Sequence, residues 1–333
     1  TSIKVTNPDG VKVDPLYKVI NGKTLTLTRN GYYINGLTYT ITLPTGSITD
    51  QSGNGITAFT SKFTVDFAKP TVTGVDPANN KVINGVNKAL VITFSENIKA
   101  GSAFTSIKVT NPDGVKVNPL YKVINGKTLT LTRNGNYIDG LTYTITLPTG
   151  SIIDTAGNTL AAAFTSKFTV DNTKPTVTSV DPANNKVITV ADKALVITFS
   201  ENIKAGSAFT SIKVTNPDGV KVDPLYKVIN GKTLTLTRNG YYINGLTYTI
   251  TLPTGSITDT AGNTLATAFT SKFTVDFAKP TVSGVDPANN KIINVANKAL
   301  VITFSEAIKA GSAFTSIKVT NPDGVAVNPL YKV

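Results

Sequence analysis

Residues 121–131 read YKVINGKTLTL, two short alternating runs on either side of Asn125-Gly126. In each run β-branched, aromatic or aliphatic residues alternate with polar ones, which is the pattern of a half-buried β-strand. Asn-Gly between two such runs is a strong signal for a tight β-hairpin. The segment therefore predicts strands at 121–124 and 127–131, with Asn125-Gly126 as the turn.

The surrounding sequence continues this pattern of short strands and turns. Leu90, Ile92 and Phe94 alternate with polar or β-branched residues, so we expect these three side chains to share a buried face. Turn-forming Gly, Pro, Asn and Asp residues separate the runs, and 99–104 offers at most one short helical turn. About seven strands per hundred residues indicate a two-sheet antiparallel sandwich. The other predicted strands are 71–75, 107–109, 143–147 and 164–170.

One tyrosine has a position of its own in this pattern. Leu141 and Tyr143 precede an alternating strand, in the place of the tyrosine corner of β-sandwiches. Core packing alone is an equally good explanation of Tyr143. The same spacing recurs at Tyr39 and Tyr248.

The chain repeats itself with a period of about one small domain. The segment TSIKVTNPDG begins at Thr1, Thr105, Thr210 and Thr315, so successive copies are 104, 105 and 105 residues apart. The shorter first period reflects a deletion beside the turn at Asn54, and a sandwich tolerates such a change in a loop.

Cutting the chain at its Lys-Pro junctions gives four segments, which we call the first to fourth repeats. We predict partial domains at 1–68 and 279–333 and complete domains at 69–173 and 174–278. A partial sandwich has an unpaired edge and an open core. We therefore expect the polypeptide to continue at both ends, or other copies of the chain to complete the terminal domains.

Composition argues against most catalytic chemistry. The chain contains no Cys, His, Met or Trp, so disulfides, soft-metal sites and the usual nucleophile and base pairs are excluded. Paired carboxylates could still hydrolyse glycosides. However, the same Glu and Asp residues recur in every repeat as parts of turns, which favours a structural role. The prediction is that the protein is not an enzyme.

Charge and hydropathy narrow the choice of partners. The net charge of +12 comes mainly from scattered lysines, which suit a solvated surface. Nucleic-acid binding is not expected, because it requires a clustered basic stripe with aromatic platforms. An anionic cell-wall polymer or a glycan is the alternative partner. No run of about twenty apolar residues is present, so no membrane-spanning helix is predicted.

Three motifs follow one another in each complete repeat. In the second repeat they are FSENI at 94–98, GLTYT at 140–144 and DTAGN at 154–158. In this order they resemble the bacterial and archaeal Ig-like domains of the S-layer-protein type. FSENIKAGSAF at 94–104 and LPTGSITD at 252–259 are most similar to arrays in adhesin-like surface proteins of methanogenic archaea.

This resemblance implies an all-β fold of tandem immunoglobulin-like antiparallel β-sandwich domains in a linear array. It also implies export and an extracellular, cell-surface location. The predicted function is a non-catalytic structural segment that acts as a stalk or as a fibre or filament building block. The alternative is an adhesin module whose exposed tyrosines and lysines bind a glycan or wall polymer.

Acidic residues of these motifs form the sharpest candidate site. The loop after the second strand and the loop before the last strand of an Ig-like sandwich lie at the end that faces the preceding domain. Carboxylates there could converge on a linker aspartate and bind calcium, which takes six to eight oxygen ligands. The candidate ligands at the three junctions are Asp66, Glu96, Asp154 and Asn158, then Asp171, Glu201, Asp259 and Asn263, then Asp276 and Glu306.

Two alternatives compete with an interdomain calcium ion. Asp-x-x-Gly-Asn can be a tight turn in which Asp and Asn side chains bond to their own backbone. A lysine-to-asparagine isopeptide cross-link inside the sandwich is a further hypothesis, and it would need a buried lysine beside a carboxylate.

Overall fold

A computed structural model describes residues 2–327 of the 333-residue chain. The chain divides into two compact units. The first contains the chain up to Pro175 together with Glu201–Gly206 and Ile257–Ala266, and the second contains Thr176–Ser200, Ser207–Ser256 and the chain from Thr267. Within the described residues, the regular structure is β-strand apart from three short 3₁₀ turns.

The first repeat lies in the first unit and has five strands. These are β1 (Lys4–Thr6), β2 (Leu16–Asn21), β3 (Thr24–Arg29), β4 (Thr38–Leu43) and β5 (Phe59–Thr64). β1, β4 and β5 form one antiparallel sheet, while β2 and β3 form a separate hairpin. The fully buried part of its core is small and consists of Val5, Val13 and Tyr39.

The second repeat, also in the first unit, has ten strands and one 3₁₀ turn, Phe104–Ser106. The strands are β6 (Val72–Asp76), β7 (Lys81–Ile83), β8 (Leu90–Phe94), β9 (Ile98–Ala100), β10 (Lys108–Thr110), β11 (Leu120–Asn125), β12 (Thr128–Arg133), β13 (Thr142–Leu147), β14 (Ile152–Asp154) and β15 (Phe164–Val170). One sheet has the order β11-β12-β8-β6 and the other β10-β13-β15-β7. β9 and β14 form a two-stranded ribbon.

The inner faces of the two sheets bury one continuous apolar core in the second repeat. Leu90, Ile92 and Phe94 are at most 1% exposed, so their predicted common buried face is confirmed. Leu131 from the same sheet and Ile145 from the opposite sheet are fully buried with them. The predicted two-sheet sandwich is therefore correct, and burial of these inner faces supplies its main stabilising term.

The third repeat has the same strand order. Its strands in the second unit are β16 (Val177–Asp181), β17 (Lys186–Ile188), β18 (Leu195–Phe199), β20 (Lys213–Thr215), β21 (Leu225–Asn230), β22 (Thr233–Arg238), β23 (Thr247–Leu252) and β25 (Phe269–Val275). A 3₁₀ turn spans Phe209–Ser211. The ribbon of β19 (Ile203–Ala205) and β24 (Ile257–Asp259) belongs to the first unit.

The described part of the fourth repeat, in the second unit, has one antiparallel strand pair. The elements are β26 (Val282–Asp286), β27 (Val301–Phe304) and a 3₁₀ turn at Phe314–Ser316. No helix of the described residues is long and apolar enough to cross a membrane.

The hairpin predicted at residues 121–131 is present, but its turn lies one residue later than predicted. Asn125 still belongs to β11 and pairs with Thr128, so Gly126 and Lys127 make the turn. Gly126 has a φ of 57°, and it is the first of the two turn residues. A two-residue hairpin with a left-handed glycine first is the type II′ arrangement, which explains why the turn starts at the glycine.

The tyrosine corner is confirmed by a hydrogen bond. The Tyr143 hydroxyl accepts a bond of 2.9 Å from the backbone N–H of Ile138, five residues upstream. The ring also stacks on Phe168, with ring centroids 5.6 Å apart. Tyr39 and Tyr248 accept the same bond in their repeats. The tyrosine therefore serves both core packing and the corner.

Candidate metal centre

The short ribbon of β9 and β14 positions the first acidic group. It pairs Asp154 with Ile98, which follows Glu96 by two residues. Asp66 reaches the same place from the linker that follows β5. Carboxylate oxygens of Asp66, Glu96 and Asp154 lie within 4.8 Å of one another, so the structure brings these three predicted residues together.

The ribbon of β19 and β24 builds the same group a second time. Carboxylate oxygens of Asp171, Glu201 and Asp259 also lie within 4.8 Å of one another. All three residues belong to the first unit. Asp276, at the end of the third repeat, and Glu306, in the fourth, are the counterparts at the third junction, and among the described residues they belong to no group of three.

Asp154 also organises the turn that carries it. One carboxylate oxygen accepts backbone N–H bonds of 2.7 Å from Gly157 and 2.8 Å from Asn158, and the other accepts a 2.7 Å bond from Asn158 Nδ2. The tight turn is therefore real. It is compatible with a metal, because a carboxylate oxygen that accepts one hydrogen bond keeps a free lone pair.

Asn158 presents N–H groups to this centre. Its Nδ2 donates to the backbone carbonyl of Asp66 at 3.0 Å as well as to Asp154. Asn263 makes the equivalent bonds to the Asp171 carbonyl, at 2.8 Å, and to the Asp259 carboxylate, at 2.7 Å. These amides tie the linker to the turn, and coordination of a metal by Asn158 or Asn263 stays a prediction.

In the first acidic group, the pKa values of Glu96 and Asp154 are shifted in opposite directions. Burial first, and then the negative charges of Asp154 and Asp66, raise the pKa of Glu96 above its ordinary range, while Lys127 acts in the opposite direction. Burial also opposes ionisation of Asp154. The hydrogen bonds from Asn158, Gly157 and Ala156 together outweigh that burial and lower the pKa of Asp154. Carboxylate oxygens are the hard ligands that calcium takes, and binding of calcium by these three residues stays a prediction.

The isopeptide hypothesis finds no support in the part of the chain that the structure describes. The buried polar side chains there are threonine, serine, aspartate and asparagine, with no lysine among them. A cross-link inside the sandwich would need a lysine beside its partner in the core.

Sequence reasoning missed a second polar feature, a pocket lined by Lys108, Lys116 and Lys122. These lysines are far enough apart in the sequence to look scattered, and only the fold gathers them. The available signals were two differences between repeats: Asn118 in the second repeat against Asp223 in the third, and Lys116 in the second against Ala326 in the fourth.

Two packed sheets, antiparallel except for the parallel edge strands β7 and β17, are repeated along the chain with a tyrosine corner and define a protein of tandem immunoglobulin-like domains. The chain belongs to the Bacterial Ig-like domain family, whose model matches residues 1–65, 66–170, 171–275 and 276–332. These segments begin a few residues before the Lys-Pro junctions at which we cut the chain, and the junction boundaries stay a prediction.

The chain is also similar to an S-layer protein of Geobacillus stearothermophilus. The two are 26% identical over 278 residues, which is 76% of this chain and 21% of that protein. The chain thus spans about a fifth of the length of the curated relative it matches. The narrower resemblance to adhesin-like proteins of methanogenic archaea stays a prediction.

Solved structures align with parts of the chain. The N-terminal part of the bacterial S-layer protein SbsC aligns with 62% of this chain and 44% of its own, at 16% identity and a TM-score of 0.24. CopC from Methylosinus trichosporium OB3b aligns with 31% of this chain and 93% of its own, at 13% identity and a TM-score of 0.24.

Proposed function

We propose that this chain is a non-catalytic structural segment of an extracellular surface protein, in which successive sandwiches form a stalk or a filament. The observation that carries the proposal is the repetition of one sandwich with the same strand order and the same buried core. The similarity to an S-layer protein supports the surface location. The bond from Asn158 to the Asp66 carbonyl, which fixes the linker before the second repeat, suits a chain that bears load.

Force spectroscopy of the 333-residue chain, held by its ends, tests this role. Two complete repeats of 105 residues should give two unfolding peaks. Each should lengthen the chain by roughly 35 nm, since an extended residue spans at most about 3.6 Å. A smooth extension without peaks would show that the repeats do not resist force and would contradict a load-bearing role.

Location is tested on intact cells of the source organism. An antibody raised against this chain should label unpermeabilised cells, and external protease should remove the label. Electron microscopy of the same cells separates the two structural forms, because a filament gives a continuous thread and a stalk gives short rods.

We further propose that calcium binds at the acidic groups of Asp66, Glu96 and Asp154 and of Asp171, Glu201 and Asp259. The carboxylate oxygens of each group lie within 4.8 Å of one another and are hard ligands for a cation. Burial and the negative charges of Asp154 and Asp66 raise the pKa of Glu96, and a bound cation would oppose that shift. When bound, the ion would stiffen the linker that carries Asp66.

The variant E96Q/E201Q separates the metal from the turn, because neither glutamate accepts the turn bonds that Asp154 and Asp259 accept. Calcium should raise the melting temperature of the wild type and leave that of E96Q/E201Q almost unchanged. In a chelator E96Q/E201Q should melt at a higher temperature than the wild type, because its two amides remove the repulsion between the glutamates and the neighbouring aspartates. If calcium does not change the melting temperature of the wild type, the calcium proposal fails and these residues serve only to form the turn.

A further inference from the structure

A polar pocket opens beside the 3₁₀ turn of the second repeat. Its volume is about 200 Å³, and it is lined by three lysines together with side chains that donate hydrogen bonds. The lining residues that matter for binding are Thr105, Ser106, Lys108, Lys116, Asn118 and Lys122. We call this set the lysine pocket.

Lys122 is held in place within the lysine pocket. Its Nζ donates to the backbone carbonyls of Phe104, at 3.2 Å, and Thr105, at 3.0 Å, and lies 5.7 Å from the centre of the Phe104 ring. An ammonium group has three N–H donors, so two bonds to the protein leave one N–H for a ligand. The half-buried position of Lys122 reduces the screening of its charge by water.

Among the described residues, no ion pair joins a carboxylate to a lysine of the pocket. The ion pairs seen in the described chain join Lys88 to Asp76, Lys193 to Asp181 and Lys298 to Asp286. None of them includes a lysine of the pocket. Burial first, and then the positive charge of Lys116, lower the pKa of Lys122, which is the expected effect of crowding like charges.

The third repeat presents the same lysines with a carboxylate added. Asp223 stands where the second repeat has Asn118. Burial lowers the pKa of Lys227, the counterpart of Lys122, and the negative charge of Asp223 partly opposes that shift. The fold accommodates both residues, because the strands that follow them, β11 and β21, begin at the equivalent Leu120 and Leu225 and pair in the same register. The second repeat therefore has the more positive of the two pockets.

The fourth repeat changes the same region differently. Ala326 replaces the counterpart of Lys116, and it keeps the bridge to Thr320 that Lys116 makes to Thr110. The fourth repeat thus lacks one positive charge at this position while the isolated bridge beside it is kept. The chain itself supplies substitutions that alter the pocket without disturbing its backbone.

We propose that the lysine pocket of the second repeat binds an oxyanion group of an anionic polymer, through the ammonium groups of Lys108, Lys116 and Lys122 and the amide of Asn118. Lysine ammonium groups and neutral N–H and O–H donors are the groups that bind carboxylate, sulfate or phosphate. The inference adds a ligand to the surface protein proposed above. The structural role does not depend on it, and the two are tested by different measurements.

Binding is measured on the full 333-residue chain with three short labelled probes, by fluorescence anisotropy. An oligogalacturonate carries carboxylates, a heparin hexasaccharide carries sulfates, and a short polyphosphate carries phosphates, so the preferred probe identifies the anionic group. The variants N118D and K116A should each weaken binding of that probe roughly two- to fivefold, the range expected for one partly exposed charge. D223N should strengthen it by creating a second pocket without a carboxylate.

Two control variants change the net charge by the same amount elsewhere. Asn125, which N125D changes, lies at the hairpin end of β11, whereas Asn118 lies just before the other end of that strand. K99A removes an exposed lysine of β9. Both should bind the preferred probe as the wild type does. The proposal is overturned if no probe binds the wild type, or if N118D and N125D bind equally. Unchanged unfolding peaks under force in N118D would show that the structural role stands in either case.

Discussion

At the scale of single residues, two tyrosines of one core differ in whether their hydroxyl group is satisfied. Tyr143 accepts the 2.9 Å bond from the Ile138 N–H. The Tyr137 hydroxyl, in the same aromatic cluster, is buried and has no hydrogen-bond partner among the described residues. Burial raises the pKa of Tyr137 to about 12. The two hydroxyl groups therefore contribute differently to stability.

Tyr143→Phe should lower the free energy of unfolding of the second repeat by about 0.5–1.5 kcal/mol, because it removes the acceptor of the part-buried bond from the Ile138 N–H. Tyr137→Phe removes an unpaired polar atom and should leave stability unchanged or slightly higher. Hydrogen exchange of second-repeat amides in the full chain measures both, and the Ile138 amide should exchange faster in Y143F. Equal effects of the two variants would show that the tyrosine corner contributes only packing.

The acidic group predicts how stability depends on pH in a chelator. Since the pKa of Glu96 is higher in the folded chain than its ordinary value of 4.5, the folded state binds more protons there. Its contribution to stability is complete below the ordinary value and is lost as the pH rises through the raised value. Asp154 acts oppositely, because its lowered pKa makes its contribution fall only in more acidic solution.

Melting temperatures of the wild type and Glu96→Gln in a chelator, from about pH 4 to pH 7, isolate the Glu96 term. The wild type should lose stability relative to E96Q as the pH rises. Parallel curves for the two proteins would mean that Glu96 does not sense Asp66 and Asp154. Asp50→Asn is a suitable control, because Asp50 makes the same turn in the first repeat outside both acidic groups of three.

At the scale of elements, the strands of five or more residues in the second repeat were predictable, whereas β10 was the only one of its three-residue strands to be predicted. Five or six alternating residues bounded by turn formers predicted β8, β11 and β12, although the turn was displaced by one residue. β7, β9 and β14 have three residues each, which is too short for a period to show. Their existence depends on pairing with distant strands.

The residues of the candidate site were predictable from sequence motifs, but the long-range contacts between them were not. Asp154 and Asn158 were found by their motif, and Glu96 by its place after β8. The bond from Asn158 Nδ2 to the Asp66 carbonyl joins residues 92 positions apart, and sequence alone could not place it. The ribbon of β9 and β14, which sequence reasoning missed, is the element that sets Asp154 beside Glu96.

A glycine controls the attachment of that ribbon. A methyl group on Gly101 would overlap the carbonyl oxygen of Gly150, whereas a methyl group on Gly74 would make an ordinary contact of 3.8 Å with Thr93. Gly101→Ala should therefore separate the ends of β9 and β14, destabilise the second repeat by about 1–3 kcal/mol and abolish calcium binding there. Gly74→Ala should do neither.

Isothermal titration with calcium and thermal unfolding of G101A and G74A check this prediction. Calcium binding at the second acidic group, which neither variant touches, serves as an internal reference. If G101A binds and unfolds as G74A does, the close approach at Gly150 does not position the site.

At the scale of the whole molecule, the terminal repeats expose surfaces that the complete repeats bury. Among the described residues, β3 pairs only with β2, whereas its counterpart β12 also pairs with β8. β27, the counterpart of β8, pairs only with β26. Leu300, just before β27, and Ile302 on β27 are 52% and 49% exposed, whereas the equivalent Leu90 and Ile92 are fully buried. Unpaired strand edges and exposed apolar faces of this kind tend to associate with other chains.

The fourth repeat of one copy therefore offers the strand that the first repeat of another copy lacks. β27 can pair with β3 as β8 pairs with β12, because Val301–Phe304 has the same sequence as Val91–Phe94. We predict that the 333-residue chain associates head to tail, with a mass that rises with concentration in analytical ultracentrifugation. Burial of faces like that of Leu90 and Ile92 would drive the association.

Ile302→Asp should keep the chain monomeric, because it places a charge in the face that the association would bury. The change is made in a side chain that is already half exposed, so the two complete repeats should fold as in the wild type. Val325→Asp is the matched control: Val325 and its counterpart Val115 in a complete repeat are each 62% exposed, so completion of the sandwich does not bury this position. Wild type and V325D should associate equally. A wild-type chain that stays monomeric at every concentration, or an I302D chain that associates as strongly as V325D, would show that the terminal repeats do not complete one another.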